Sequence, residues 1–424
     1  MSDNVPFFRP NISEDAIESV AESLRSGWLT SGPKVKAFEE NFAKAVGASH
    51  AVALNSATAA LHLSLRALGL KSGEGVLVPT HTFAATAEVV QYHGGVPILV
   101  DCHADTLNVD LSHAKQQIER TSRGELPVRA DRVVGIMPVH VAGNMIDMDE
   151  LNTFAKEQDL WVVEDSAHAF PAGYIRGGES GQSETVMSGS GTANATCFSF
   201  YANKTITTGE GGMFVTENEE LAAHVRSLSL HGLSTAAWKR FEPGANWDYQ
   251  ITNVGFKYNL TDLAAAIGLE QLKRAETFRQ QRSEIADFYF DKLQDVAAVT
   301  LPEKGVNRLH SWHLYILKLN LDQLSITRNQ FCEKLKENGV GFSVHWRPLH
   351  LHPHYDALGW KPDDLPTATK CFDRIVSLPI FPGMKPDEQQ RVVEVVRSIC
   401  TQNRSTRAPG QSPASATSQV NSIS

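Results

Sequence analysis

Five short apolar runs, at residues 51–54, 76–79, 97–101, 133–137 and 160–164, constrain this chain more than any other feature. Each is too short for a buried helix and is apolar on successive positions, the pattern of a strand covered on both faces. Between the first two runs, Leu61, Leu65 and Leu68 recur at helical spacing, and a further helix ends near Gly94 and Gly95. Strands alternating with helices predict an α/β fold whose large domain has a mostly parallel sheet flanked by helices. In such sheets ligands bind beyond the carboxyl ends of the strands. The polar residues Ser56, Thr58, Asp165 and His168 fall at or just past those ends.

Another apolar stretch, residues 196–203, delivers Lys204 and runs into Gly209, Gly211 and Gly212. A lysine from one strand and a carboxylate, Asp165, from another are the two groups that pyridoxal 5'-phosphate (PLP) requires. The amine forms a Schiff base with the cofactor's aldehyde, and the carboxylate keeps the ring nitrogen protonated so that the ring accepts electrons. Residues 55–58 sit at a strand-to-helix junction, where free N–H groups and the helix dipole favour an anion; an ordinary N-cap is the competing reading there. Phe83 follows another strand end, where a ring can stack on a flat cofactor, although an isolated Phe is more often core. His168 lies three residues past Asp165, within range of a carboxylate or a phenolic oxygen. Ser199 alternates with Phe198 and Phe200 and so faces away from them.

With 424 residues the chain exceeds one ordinary core, and 42% hydrophobic with 21% charged residues is a globular composition. A net charge of −9 argues against nucleic-acid binding, which needs a basic face. No apolar run approaches bilayer length, and the first residues carry no basic segment ahead of an apolar core, so a cytoplasmic location is expected. Cys102, Cys197, Cys332, Cys371 and Cys400 are scattered without a CxxC, as expected of reduced, buried thiols.

Beyond residue 270 the pattern changes. Residues 271–293 read as a charged helix, 311–319 and 340–346 as alternating strands, and 331–338 as a helix stopped by Gly339. The expected organisation is an N-terminal segment (1–30), a large cofactor-binding domain (31–270), a smaller C-terminal α+β domain (271–402) and a disordered Ser/Thr/Pro-rich tail (403–424). Residues 177–191 are Gly/Ser-rich and read as a surface loop.

Six ordered motifs resemble the DegT/DnrJ/StrS family of nucleotide-sugar aminotransferases, PLP enzymes of the aspartate-aminotransferase fold type. They are residues 26–33, 55–61, 164–168, 198–204 with 209–212, 257–262 and 377–382. The resemblance implies Lys204 as the Schiff-base lysine, Asp165 as the partner of the ring nitrogen, Phe83 stacked on the ring and His168 at its hydroxyl oxygen. It further implies Ser56, Ala57, Thr58 and Ser199 around the phosphate, with Asn259 reaching in from the neighbouring subunit of a homodimer. Trp28, Thr30, Ser31, His345 and Arg347 match regions lining the sugar-nucleotide side. The implied substrates are glutamate and a keto sugar linked to a nucleoside diphosphate, most similar to a 4-keto-6-deoxy sugar aminated at carbon 4, with carbon 3 as the alternative.

Other classes fit less well. A dinucleotide-dependent oxidoreductase needs a Gly-rich turn after an early strand, and residues 189–194 lack the last glycine and lie mid-chain. His350, His352 and His354 alternate, which on a strand would place three imidazoles on one face, but Pro353 and the lack of an acidic or Cys partner argue against metal. A PLP-dependent sugar dehydratase replaces the lysine that this chain keeps at Lys204. A non-catalytic sensor on the same fold has no need of the full set of catalytic residues.

Overall fold

The computed structural model describes residues 4–177, 183–233 and 250–405. Its centre is a seven-stranded sheet. In chain order the strands are β1 (His50–Leu54), β2 (Gly75–Pro79), β3 (Val96–Val100), β4 (Val133–Ile136), β5 (Trp161–Asp165), β8 (Ala195–Ser199) and β9 (Gly212–Thr216); β6 (Gly173–Gly177) and β7 (Ser183–Met187) lie outside it. The spatial order is β1-β9-β8-β5-β4-β2-β3, and β9 alone runs antiparallel to both of its neighbours. Val76, Leu77 and Val78 of β2 are fully buried, as a central parallel strand covered on both faces must be. Full burial of each such side chain contributes about 1.5–3 kcal/mol.

The helix α1 (Glu14–Ser26) starts at Ser13, whose hydroxyl accepts from the Ala16 amide, and α2 (Pro33–Val46) follows with Pro at its first turn. Both pack on the helix Asp262–Lys273, which runs through position 270. The helix α3 (Ala57–Ala67) covers the sheet, and α4 (Ala85–Tyr92) follows β2.

A second core lies in the C-terminal part. There the sheet β10 (Val299–Thr300), β12 (Tyr315–Leu319) and β13 (Ile375–Leu378) carries the helices Ala275–Leu293, Arg328–Glu337 and Pro386–Gln402. Tyr289 is buried there and donates to the Pro379 carbonyl at 2.8 Å.

Several sequence expectations need correction. The 177–191 loop contains a strand: β7 pairs antiparallel with β6, and β11 (Arg308–Leu309) joins on the other side. Polar residues at Ser183, Glu184 and Thr185 hide it, because its pairing comes from the adjacent strand and not from burial. The tip, residues 178–182, lies outside the described residues. Residues 340–346 form no continuous strand, since Val340 bridges Val5 while Ser343 bridges Ser377. Of residues 311–319 only Tyr315–Leu319 is strand. The expected disordered tail begins too early. Arg404 bridges Leu324, and the Ser405 amide donates to Gln323 at 2.9 Å; the rest of that tail, 406–424, lies outside the described residues.

Candidate active site

Asp165 ends β5 and is buried. Thr86, in α4, donates to its Oδ2 at 2.7 Å, and the Ala167 amide donates to Oδ1 at 3.1 Å. Burial pushes the Asp165 carboxyl up, and these two bonds together with the positive charge of Lys204 oppose that shift. Beside it, Glu164 is fully buried and held by His140 Nε2 at 2.8 Å and the Thr192 hydroxyl at 2.6 Å. His140 Nδ1 accepts from the Ile146 amide at 3.2 Å, which leaves its Nε2 as the donor.

Lys204 lies past the end of β8 and lines one cavity together with Ser199, Ala167, His168 and His313. Burial pushes its amine down to about 8, against the opposing pull of Asp165. The imidazoles around it are also driven toward the neutral form by burial, His168 and His313 well below their ordinary value and His345 to about 3. His168 stacks on Trp346 with centroids 4.9 Å apart and lies 4.2 Å from the His313 ring. The Nδ1 atoms of His168 and His313 are buried and have no partner among the described residues.

Gly212 joins Ser199 to the start of a helix. In β9 it is paired with Leu54 of β1 on one side and Ser199 of β8 on the other. The N-terminus of α3 and Ser199 are thereby brought to the two flanks of one residue. A Cβ at Gly212 would overlap the Ser56 carbonyl and sit 2.5 Å from the Ala57 nitrogen, so only glycine permits this approach. The Ser56 hydroxyl accepts from the Ala59 amide at 3.1 Å as an N-cap, and Ala57 and Thr58 form the free first turn of the helix. A cradle of this kind takes an anion.

The remaining expected residues are distributed more widely. Phe83 is 64% exposed between β2 and α4, a placement that leaves its ring free to cover a ligand. Asn259 donates to the Ser31 hydroxyl at 2.7 Å and accepts from Lys257 at 2.5 Å, and it does not line the cavity beside Lys204. Ser31 donates to the Leu260 carbonyl at 2.6 Å, and Asp262 accepts from the amides of Gly32 and Val35 at 2.8 and 2.9 Å. The 26–33 and 257–262 motifs are thus one interlocked unit. Trp28 is exposed, and Thr30 accepts the Asp262 amide at 3.0 Å through its carbonyl; Trp28, Thr30 and Ser31 do not line the cavity beside Lys204.

His345 Nδ1 bonds the Ser377 hydroxyl at 2.8 Å, while Arg347 is exposed and donates to the Leu351 carbonyl at 2.8 Å. His350, His352 and His354 do not share a strand face. His350 is buried between Thr80 and Thr369, His352 bonds the Arg347 carbonyl and His354 bonds Gln91. Among the described residues no group of three or more His, Cys, Asp or Glu is placed to hold a metal ion.

Thr86, His313 and Trp346 were not singled out as site residues in the sequence. Thr86 carries one weak signal, a hydroxyl one helical turn from Thr82, with which it bonds at 2.8 Å. The residues present fit PLP: an anion cradle that a Cβ at Gly212 would destroy, a buried carboxylate for the ring nitrogen, an unpartnered imidazole nitrogen and a lysine driven toward its neutral form.

Fold and site together define the class, a PLP-dependent aminotransferase. The chain belongs to the DegT/DnrJ/EryC1/StrS aminotransferase family, whose model matches residues 10–397. An uncharacterized protein of Methanocaldococcus jannaschii is 42% identical over 94% of this chain and 98% of its own. The spore coat polysaccharide biosynthesis protein SpsC of Bacillus subtilis is 40% identical over 93% of this chain and 97% of its own. Among solved structures, Spr1654 of Streptococcus pneumoniae in its PLP form carries a provisional assignment as a sugar aminotransferase. It is 31% identical and superposes with a TM-score of 0.82 over 94% of this chain and 99% of its own. Among the described residues no helix is long and apolar enough to cross a membrane.

Proposed function

We propose that this sugar aminotransferase converts the ketone at carbon 4 of a nucleoside-diphosphate-linked 4-keto-6-deoxy sugar to an amine, with glutamate as donor. The observation that carries the catalytic part is the placement of Lys204 past the end of β8 in a cavity shared with Ser199 and His168, where burial also pushes its amine down. The polysaccharide biosynthesis name of the Bacillus relative and the sugar-aminotransferase assignment of the Streptococcus one support a sugar as acceptor.

Bound PLP supplies an aldehyde carbon that carries the amino group and a ring that accepts electrons. Lys204 would hold the cofactor at rest, and its amine, when free, would take the α-proton of glutamate. It runs the same proton transfer in reverse on the sugar, because it is released next to the exchanging atoms. Asp165, oriented by Thr86, holds the proton on the ring nitrogen. His168 meets the ring hydroxyl, and Phe83 covers the exposed ring face. Ser56, Ala57, Thr58 and Ser199 hold the phosphate, joined by Asn259 of the second subunit in a homodimer with shared sites. Trp28, Thr30, Ser31, His345 and Arg347 face the nucleotide sugar.

The test is a panel of UDP-, dTDP- and GDP-linked keto sugars with purified enzyme and glutamate. The expected result is 2-oxoglutarate equal in amount to an amino sugar, with NMR placing the amine on carbon 4. Amination at carbon 3 alone would overturn the regiochemistry, and loss of water without amine gain would favour a dehydratase. No colour change on adding glutamate would favour a sensor.

A further inference from the structure

Arg282, in the helix Ala275–Leu293, is only 2% exposed. Its Nη1 donates to the carbonyls of Trp312, His313 and Ile380 at 3.1, 3.2 and 2.7 Å, and among the described residues no carboxylate pairs with it. Its Nε is buried and has no partner among the described residues. Burial pushes the guanidinium down to about 9, with no acid to offset it. Arg282 shares a cleft with Asn203 and Lys204, and Asn203 Oδ1 there is likewise buried and unpartnered. A buried cation that no carboxylate pairs is costly, and an apolar side chain of similar length fills space without that cost. Packing alone does not account for it.

The groups around Lys204 give the charge a purpose. Asp165 from β5 favours the protonated amine, and Arg282 opposes it. His168, His313 and His345 also face it, and burial holds all three toward the uncharged form. Asp165 and Arg282 are therefore the two opposed charges acting on the lysine. The Arg282 contacts also anchor the backbone of His313, which lines the lysine's cavity.

We propose that Arg282 is a positioning residue for Lys204: its guanidinium, paired with no carboxylate, fixes the His313 segment and sets a positive field that eases loss of the proton from the lysine amine. This rests on the reading of Lys204 as the lysine that carries the cofactor.

The test is a pH titration of the visible absorption band of full-length holoenzyme in Arg282→Gln and Arg282→Met, with Arg282→Lys as the charge-retaining control. Removing the cation stabilises the protonated lysine–cofactor link, so the midpoint rises by about one pH unit in the Gln and Met variants and by less than about 0.3 unit in the Lys variant. Circular dichroism follows folding separately, and a purely structural role would change stability without moving the midpoint. Unchanged midpoints in folded Gln and Met variants overturn the proposal. Failure of both to fold also overturns it, by making Arg282 a residue of the fold alone. Lys204→Ala separates this inference from the reading beneath it. A visible band that persists in Lys204→Ala removes both; a band lost there, with Arg282 variants titrating like the parent, removes only the role of Arg282.

Discussion

The Thr86 hydroxyl donates to Asp165 Oδ2 at 2.7 Å, and this bond ties a helix that follows β2 to the carboxylate that ends β5. Thr82 Oγ1 lies 2.8 Å behind it, so a short hydroxyl chain orients the acid. A bond to a charged group contributes about 1.5–3 kcal/mol. Thr86→Val should therefore slow the glutamate half-reaction about 10- to 100-fold while leaving the visible cofactor band in place. Stopped-flow absorbance after glutamate addition measures this, and a parental rate would mean that Asp165 needs no such support.

Gly212→Ala should damage the anion cradle and the fold together. The added Cβ meets the Ser56 carbonyl and the Ala57 amide, which are backbone and cannot swing aside. Overpacking of this kind costs about 1–3 kcal/mol. Denaturant unfolding of the cofactor-free chain and PLP titration should both show a loss. Unaltered PLP affinity would separate Gly212 from phosphate binding.

The Lys204 amine makes stability depend on pH in a defined direction. Its value in the folded chain is about 8 against 10.5 ordinarily, so below about 8 the fold bears the full cost of a charge it disfavours. That cost fades as the pH rises through the interval to 10.5, because the unfolded chain then binds more protons than the folded one. Cofactor-free Lys204→Met should accordingly be more stable than the parent at pH 7, with the gap narrowing by pH 10. A gap that is constant or widens with pH would contradict the shift.

Equal mixing of Lys204→Ala and Asn259→Ala chains tests the shared site. If Asn259 serves the partner's cofactor, half of the dimers are mixed and each assembles one intact site, giving about a quarter of parental activity. Activity no higher than the two variants measured apart, or a fully active monomer in sedimentation, would contradict it.

The parts of the molecule that were legible in the sequence are those whose signal is local. The strand β2 is buried along its whole length and the parallel strands β3 and β5 are buried after their first residue, and continuous apolar runs mark such strands directly. Lys204 and Asp165 stand at the ends of such runs, so their proximity follows from the order of the sheet. Residues 183–187 were not legible, because a polar strand at a sheet edge is held by its neighbour. Residues 340–346 misled for the converse reason: they alternate, yet their two bridges go to different partners, Val5 and Ser377. Thr86, His313 and Arg282 act through contacts between distant segments, and no spacing rule encodes such contacts. The interlock of Ser31 with Asn259 is of the same kind.

The most direct measurement is borohydride reduction of the resting holoenzyme followed by peptide mass spectrometry. A lysine that holds the cofactor becomes permanently tagged with its phosphopyridoxyl group. The expected result is one tagged peptide, the one containing Lys204, with the tag lost after prior incubation with glutamate as the amine is set free. A tag on any other lysine, or a Lys204 peptide recovered unmodified from enzyme that shows the visible band, would contradict the assignment on which the mechanism stands.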